Sequence, residues 1–130
     1  MTMIRIGHTP DPDDAFMFYA LTAGKVKAEG CEITHVLEDI ESLNRRAQKG
    51  ELEVTAISAG AYPGLAEKYQ IMSCGASVGR DYGPIVVSKH LDSVSDLAGK
   101  RIGIPGEFTT AYLLLRIYLD IPFDPVFLDF

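Results

Sequence analysis

No apolar run in this chain is long enough to cross a membrane, which takes about 20 residues as a helix. Basic residues are outnumbered, 12 Lys and Arg against 18 Asp and Glu, for a net charge of −6. Beyond Arg45-Arg46 there is no basic cluster, so nucleic acid is not an expected partner. Cysteine is scarce: Cys31 and Cys74 lie far apart, each beside a strand-like run, and read as lone buried thiols in a reducing compartment. The opening residues, Met1 to Gly7, go straight into a strand-like pattern, with no basic segment leading into an apolar core. A secretory signal is therefore not expected, and the cytoplasm is the expected location. Two motifs are also missing. No G-x-S-x-G marks a hydrolase nucleophile, and the glycines of 75–83 do not follow a dinucleotide fingerprint.

What is present is 130 residues, 47% of them apolar, enough for an ordinary globular core. The richest stretch runs from Asp96 to Leu119. Gly99-Lys100 marks a turn, and Ile102-Gly103-Ile104 reads as a short strand covered on both faces. Pro105-Gly106 stops it. From Thr110, the apolar residues Ala111, Leu114, Leu115 and Tyr118 follow helical spacing. Thr109 or Thr110 can cap that helix. A strand, a glycine loop and a helix N-terminus in succession favour an anion, so Gly106, Glu107, Phe108, Thr109 and Thr110 are expected to grip a carboxylate or hydroxyl-rich group.

The same arrangement recurs earlier. Ile4–Ile6 reads as a strand, followed by Gly7-His8-Thr9-Pro10 and a helix with Asp11 as N-cap, Pro12 at its first position and Gly24 beyond its end. Asp11, Asp13 and Asp14 do not make a calcium loop, because Phe16 and Thr22 stand where glycine and glutamate are required. His8 reads as a loop donor rather than a base. Cys31–Leu37 is the second strand. Ile40, Leu43 and Ala47 form one face of a helix closed by Gly50, with Glu41 four residues before Arg45. Asn44 lies off that stripe, either on the surface or facing a cleft. Leu52–Ser58 is a third strand running into a helix that reaches about Tyr69. Ser58 stands at its C-terminal end, where ligands bind in open α/β sheets. Ile71–Cys74 and Ile85–Ser88 read as further strands, the latter as a hinge. His90 follows it on the surface. Val126–Phe130 reads as a last strand at which the sequence stops, so a longer protein is expected.

The segments H-T-P-D-P-D-D-A-F-M-F-Y-A-L, L-E-D-I-E-S-L-N-R-R-A, Y-G-P-I-V-V and I-P-G-E-F-T-T-A-Y-L-L-L together resemble the MqnA/MqnD menaquinone-biosynthesis family, with its MqnD branch the better match. The resemblance implies a two-lobed type II periplasmic-binding-protein-like α/β fold, with residues 1–88 as the first lobe and hinge strand and 89–130 as the start of a second, truncated lobe. It implies a lyase of the futalosine pathway that turns cyclic dehypoxanthine futalosine into 1,4-dihydroxy-6-naphthoate, with no metal and no cofactor. The alternative is a non-catalytic cytoplasmic protein that binds a small carboxylate. By the same resemblance Ala56, Ile57 and Ser58 line the substrate site with Asn44 nearby, and Thr109 and Thr110 bind from the other lobe. Thr9 and Gly106 join them at the strand ends. The catalytic base is expected to be a histidine beyond Phe130, so none of His8, His35 and His90 is assigned to it. The expected partner is a small-molecule carboxylate, with a homodimer left open. Asp11 and Asp13 would repel such a ligand unless turned away from it.

Overall fold

The computed structural model describes residues 1–128. Asp129 and Phe130, the end of the expected last strand, lie outside them. The first strand, β1 (Thr2–His8), is followed by α1 (Pro12–Thr22), β2 (Cys31–Leu37), α2 (Ile40–Lys49) and the two-residue β3 (Val54–Thr55). These strands form a parallel sheet in the order β2-β1-β3, with Ile6 opposite both His35 and Val54. After a 3₁₀ turn at Ala59–Gly64 and a long irregular segment, a second 3₁₀ turn (Val94–Leu97) leads to β4 (Arg101–Ile104), α3 (Thr110–Tyr118) and β5 (Asp124–Phe127). β4 and β5 pair in parallel, Arg101 with Asp124 through Ile104 with Phe127. The fold class is therefore mixed α/β on parallel sheets.

Local signals account for most of these bounds. Pro12 opens α1 as expected, but the Asp11 side chain does not cap it; it accepts from the Thr9 hydroxyl at 3.0 Å instead. α2 begins at Asp39, whose side chain accepts from the Ser42 N–H, and ends at Gly50 with φ +70°, the left-handed turn that glycine adopts without penalty. Leu43 and Ala47 are fully buried on its inner face. α3 begins at Thr109, whose hydroxyl accepts from the Tyr112 N–H.

Several expectations need correcting. The third strand is two residues long rather than seven, and the helix expected up to Tyr69 is a 3₁₀ turn at Ala59–Gly64 followed by looser turns. Pro63, inside that stretch, has no N–H to give an α-helical ladder. Ile71–Cys74 and Ile85–Ser88 are not strands among the described residues. Both are exposed and pair with no neighbour, and without a partner a β-prone run has nowhere to place its backbone hydrogen bonds. β4 buries Ile102 and Ile104 but exposes Arg101 and Gly103, so one face of it is covered, not two. Neither thiol is buried: Cys74 is exposed and Cys31 half-buried, and both are free.

Two apolar clusters result. Leu97, Ile102, Ile104 and Leu119 make one, backed by Tyr112 and Leu115. The other is Ala47, Ala61 and Leu65, with Ile57, Tyr69 and Phe108 against them. Phe108 comes from the loop after β4, so the second β-α unit places one of its side chains in the core of the first. Among the described residues no helix is long and apolar enough to cross a membrane.

Candidate functional site

The C-terminal ends of β1 and β2 converge on His8, Thr9 and His35. Thr9 is buried, and both its donors are in use. Its N–H and its hydroxyl reach Asp14 Oδ2 at 2.7 and 2.9 Å, and the hydroxyl also faces Asp11 Oδ2. Thr9 therefore ties the loop to the first turn of α1 and has no proton to offer a ligand. Asp11 and Asp13 are exposed. The Asp13 carboxyl is held below its usual range, chiefly by a hydrogen bond with the Ser77 side chain. No cluster of three or more His, Cys, Asp or Glu among the described residues could hold a metal.

His8 is buried, stacked on Phe18 at 4.5 Å, with Nδ1 3.1 Å from the Thr9 carbonyl and Nε2 3.0 Å from His35 Nδ1. A carbonyl only accepts, which assigns the proton of His8 to Nδ1 and leaves Nε2 to accept from His35. Partial burial, and then the nearby His8, lower the His35 pKa from its ordinary 6.5. The sign follows. As pH falls through 6.5 the unfolded chain takes up a proton that the folded His35 still refuses, so stability drops on acidification below that point. Urea unfolding at pH 7 and at pH 5.5 is expected to show this loss, and His35→Asn should flatten it.

Asn44 is fully buried, not a surface residue. Its Oδ1 accepts from the Ser58 N–H at 2.9 Å and its Nδ2 donates to Ser58 Oγ at 3.0 Å. This two-point clamp fixes Ser58 where β3 gives way to the 3₁₀ turn. Ser58 Oγ accepts from Asn44, and its own proton has no acceptor among the described residues. Ala56 extends the sheet through its N–H to the Gly7 carbonyl. Ile57 packs its side chain on the Ala47–Leu65 cluster.

On the other side, Thr109 is buried; its hydroxyl donates to the Gly106 carbonyl at 2.8 Å and accepts from Tyr112. It is a cap with its proton in use. Thr110 Oγ1 accepts from the Gly60 N–H at 2.9 Å, and its proton, like that of Ser58, is free among the described residues. Gly60 thus joins the two turns, two residues from Ser58 and one hydrogen bond from Thr110. The positive end of α3 lies at the same place. Gly106 is buried, and the space where its side chain would stand is filled by the Glu41 carboxyl group. The structure therefore assembles Ser58, Asn44 and Thr110, sets Thr109 and Gly106 behind them, and keeps Thr9 as a loop tie with no assembled contact to that group.

A cavity of about 1070 Å³ lies elsewhere, between residues 83–88 and the face of β4 and α3. Its lining is mostly apolar, including Ile85, Val86, Ile102, Ile104 and Leu115, with Lys100 and Arg101 also on it. It lies apart from the Ser58–Thr110 junction, none of whose residues line it.

A mixed α/β chain with parallel strands, presenting paired hydroxyl donors where strands end and helices begin, has the layout of a small-molecule site at strand ends. The model of the family described as Menaquinone biosynthesis matches residues 4–127. A 1,4-dihydroxy-6-naphthoate synthase from Thermus thermophilus is 41% identical over 118 residues, which is 91% of this chain and 42% of that protein. One from Streptomyces coelicolor is 35% identical over 116 residues, 88% of this chain and 40% of that protein. A crystal structure of an Archaeoglobus fulgidus protein superposes with a TM-score of 0.89 at 58% identity, over 98% of this chain and 47% of its own length. The chain belongs to the menaquinone-biosynthesis family, and it spans less than half the length of each of these relatives.

Sequence reasoning missed Glu41 as a residue of this junction, and Asp14 as the acceptor that ties down Thr9. Glu41 shows only helical spacing to Arg45, and nothing local signals that it meets a loop 65 residues away.

Proposed function

We propose that the protein acts in menaquinone synthesis by the futalosine route, in the lyase step that yields 1,4-dihydroxy-6-naphthoate from cyclic dehypoxanthine futalosine. In this reading residues 1–88 belong to one lobe and 89–130 to the other lobe of a type II periplasmic-binding-protein-like fold, and the ligand lies where they meet. The protein works in the cytoplasm, without a cofactor. The names of the Thermus and Streptomyces relatives support the reaction.

The observation that carries the reading is the pair of hydroxyls at Ser58 and Thr110. Each accepts one hydrogen bond from the protein, which fixes the oxygen and leaves its own proton to donate. Two aimed donors and a helix N-terminus suit an oxygen-rich anion, and they stabilise charge that builds on a carbonyl oxygen when a neighbouring proton is removed. The part played by these residues is to bind and orient. His8 and His35 hold each other and His90 is exposed, so no histidine here is assigned as the base.

Calorimetric titration with 1,4-dihydroxy-6-naphthoate, and chromatography of reactions containing cyclic dehypoxanthine futalosine, test this. Ser58→Ala and Thr110→Val are each expected to weaken binding about tenfold, the worth of one good hydrogen bond, while Thr110→Ser keeps it. A protein that binds neither compound refutes the reading. A full-length protein, extending past Phe130, that binds but releases no product is a solute-binding protein for a small carboxylate.

A further inference from the structure

The two turns that carry Ser58 and Thr110 belong to different β-α units, and nothing in the sheets ties one unit to the other. β1, β2 and β3 pair among themselves, and β4 pairs with β5. The register between the hydroxyls therefore has to come from side chains. Glu41 Oε2 accepts from the Phe108 N–H at 3.0 Å, across 67 residues of chain. Its other oxygen lies 3.0 Å from Arg45 Nε, a charge contact without hydrogen-bond alignment, and Arg45 also reaches Glu107 at 3.4 Å. The Phe108 ring packs on the Ala47–Ala61–Leu65 cluster, with the Arg45 guanidinium 5.5 Å from its centre. Two glycines permit this approach. A side chain on Gly106 would land on the Glu41 carboxyl group, and one on Gly60 would meet Thr110 Cα and Leu113 Cδ2 at 3.2 Å.

We propose that Glu41 and Phe108 are positioning residues: Phe108 plugs the loop after β4 into the core of the first unit, Glu41 grips its backbone, and together they set the spacing between the Ser58 and Thr110 hydroxyls. The proposal rests on the ligand reading above for its consequence, but its mechanical part stands on protein contacts alone. Phe108 supplies apolar burial, which is non-directional. Glu41 supplies direction, because a carboxylate accepting a backbone N–H fixes the loop along one line. Thr110 follows Phe108 by two residues, so a slip of the plug moves its hydroxyl directly. A misplacement of about 1 Å at a binding group is enough to lose most of its contribution.

The test uses the whole chain and reads two quantities. The first is amide exchange at Gly60, whose N–H has Thr110 Oγ1 as its one acceptor among the described residues. In Phe108→Ala, Gly60 exchange should rise at least about tenfold while the Gly7 amide in β1 keeps its wild-type rate, which marks a local opening and not global unfolding. Phe108→Leu should restore the protection. Glu41→Ala should also expose Gly60, and Glu41→Gln, which keeps an acceptor, should do so less. The second quantity is affinity for 1,4-dihydroxy-6-naphthoate, expected to fall about tenfold in Phe108→Ala and Glu41→Ala and to recover in Phe108→Leu. If Gly60 exchanges at the wild-type rate in both alanine variants, the proposal is wrong. If Phe108→Ala unfolds outright, Glu41→Ala decides. A wild-type protein that does not bind the naphthoate removes the functional reading, and the exchange data still judge the seam.

Discussion

Gly7→Val is expected to destabilise the protein by about 3 kcal/mol or more, near the upper end of what overpacking a core costs. Gly7 sits in β1 between Val36 of β2 and Thr55 of β3, and the space beside its Cα is already taken. An added Cβ would stand 2.6 Å from Leu52 Cδ1, 2.7 Å from Leu43 Cδ2 and 3.0 Å from Thr55 Oγ1. Leu43 is fully buried and Leu52 nearly so, so neither has free volume to retreat into. The sign is informative because an opposing effect exists. Removing a strand glycine ordinarily stabilises by roughly 0.5–1 kcal/mol through backbone entropy. If the packing around Gly7 were loose, that term would win and the variant would be neutral or better. Thermal unfolding should instead drop by roughly 10 °C for a chain of this size. Gly83→Ala, where an added Cβ meets nothing within 4 Å, is the control and should leave stability nearly unchanged.

Gly7 also shows which kinds of information are legible in a sequence. β2 and α2 fall where the residues place them, because their signals are local: alternation through Cys31–Leu37, Ile40, Leu43 and Ala47 on one helical face, and a Gly50 stop. α3 is also legible, since Thr109 and the leucines that follow carry both cap and period. Ile71–Cys74 and Ile85–Ser88 have the composition of strands, but a strand is completed by its neighbour, and composition does not reveal whether one is there. The candidate site divides in the same way. Ser58 and Thr110 were legible as polar residues at strand and helix ends, whereas Asn44 stood out only as lying off the apolar stripe and came to the site through the family resemblance. That Thr9 and Thr109 have their protons in use, and that Gly106 makes room for Glu41, depends on contacts between segments distant in the chain.

Asn44→Ala is expected to cost about 3 kcal/mol, from a cavity and a broken pair of hydrogen bonds. Asn44 is fully inaccessible, so its amide has no water to fall back on, and Ser58 meets both ends of it. The variant leaves the Ser58 N–H without its acceptor and the Ser58 hydroxyl free to turn. Stability and binding should therefore fall together. Ser58→Ala separates the two, since it removes the hydroxyl and leaves the N–H bonded to Asn44 Oδ1. Its stability loss should be smaller, about 1 kcal/mol, for one lost partner of a buried amide. Asn44→Asp is the sharper variant. It keeps an oxygen facing the Ser58 N–H, replaces the donor that holds Ser58 Oγ, and turns that hydroxyl from acceptor into donor toward a buried carboxylate. Its proton is then no longer available to a ligand, so binding should fall at least as far as in Ser58→Ala even where the fold survives. Denaturant unfolding and calorimetry on the three variants, with the Asn44→Ala/Ser58→Ala double variant, give the coupling directly. A coupling near zero would mean that the clamp does not hold Ser58, whereas about 1 kcal/mol or more is expected for groups in direct contact.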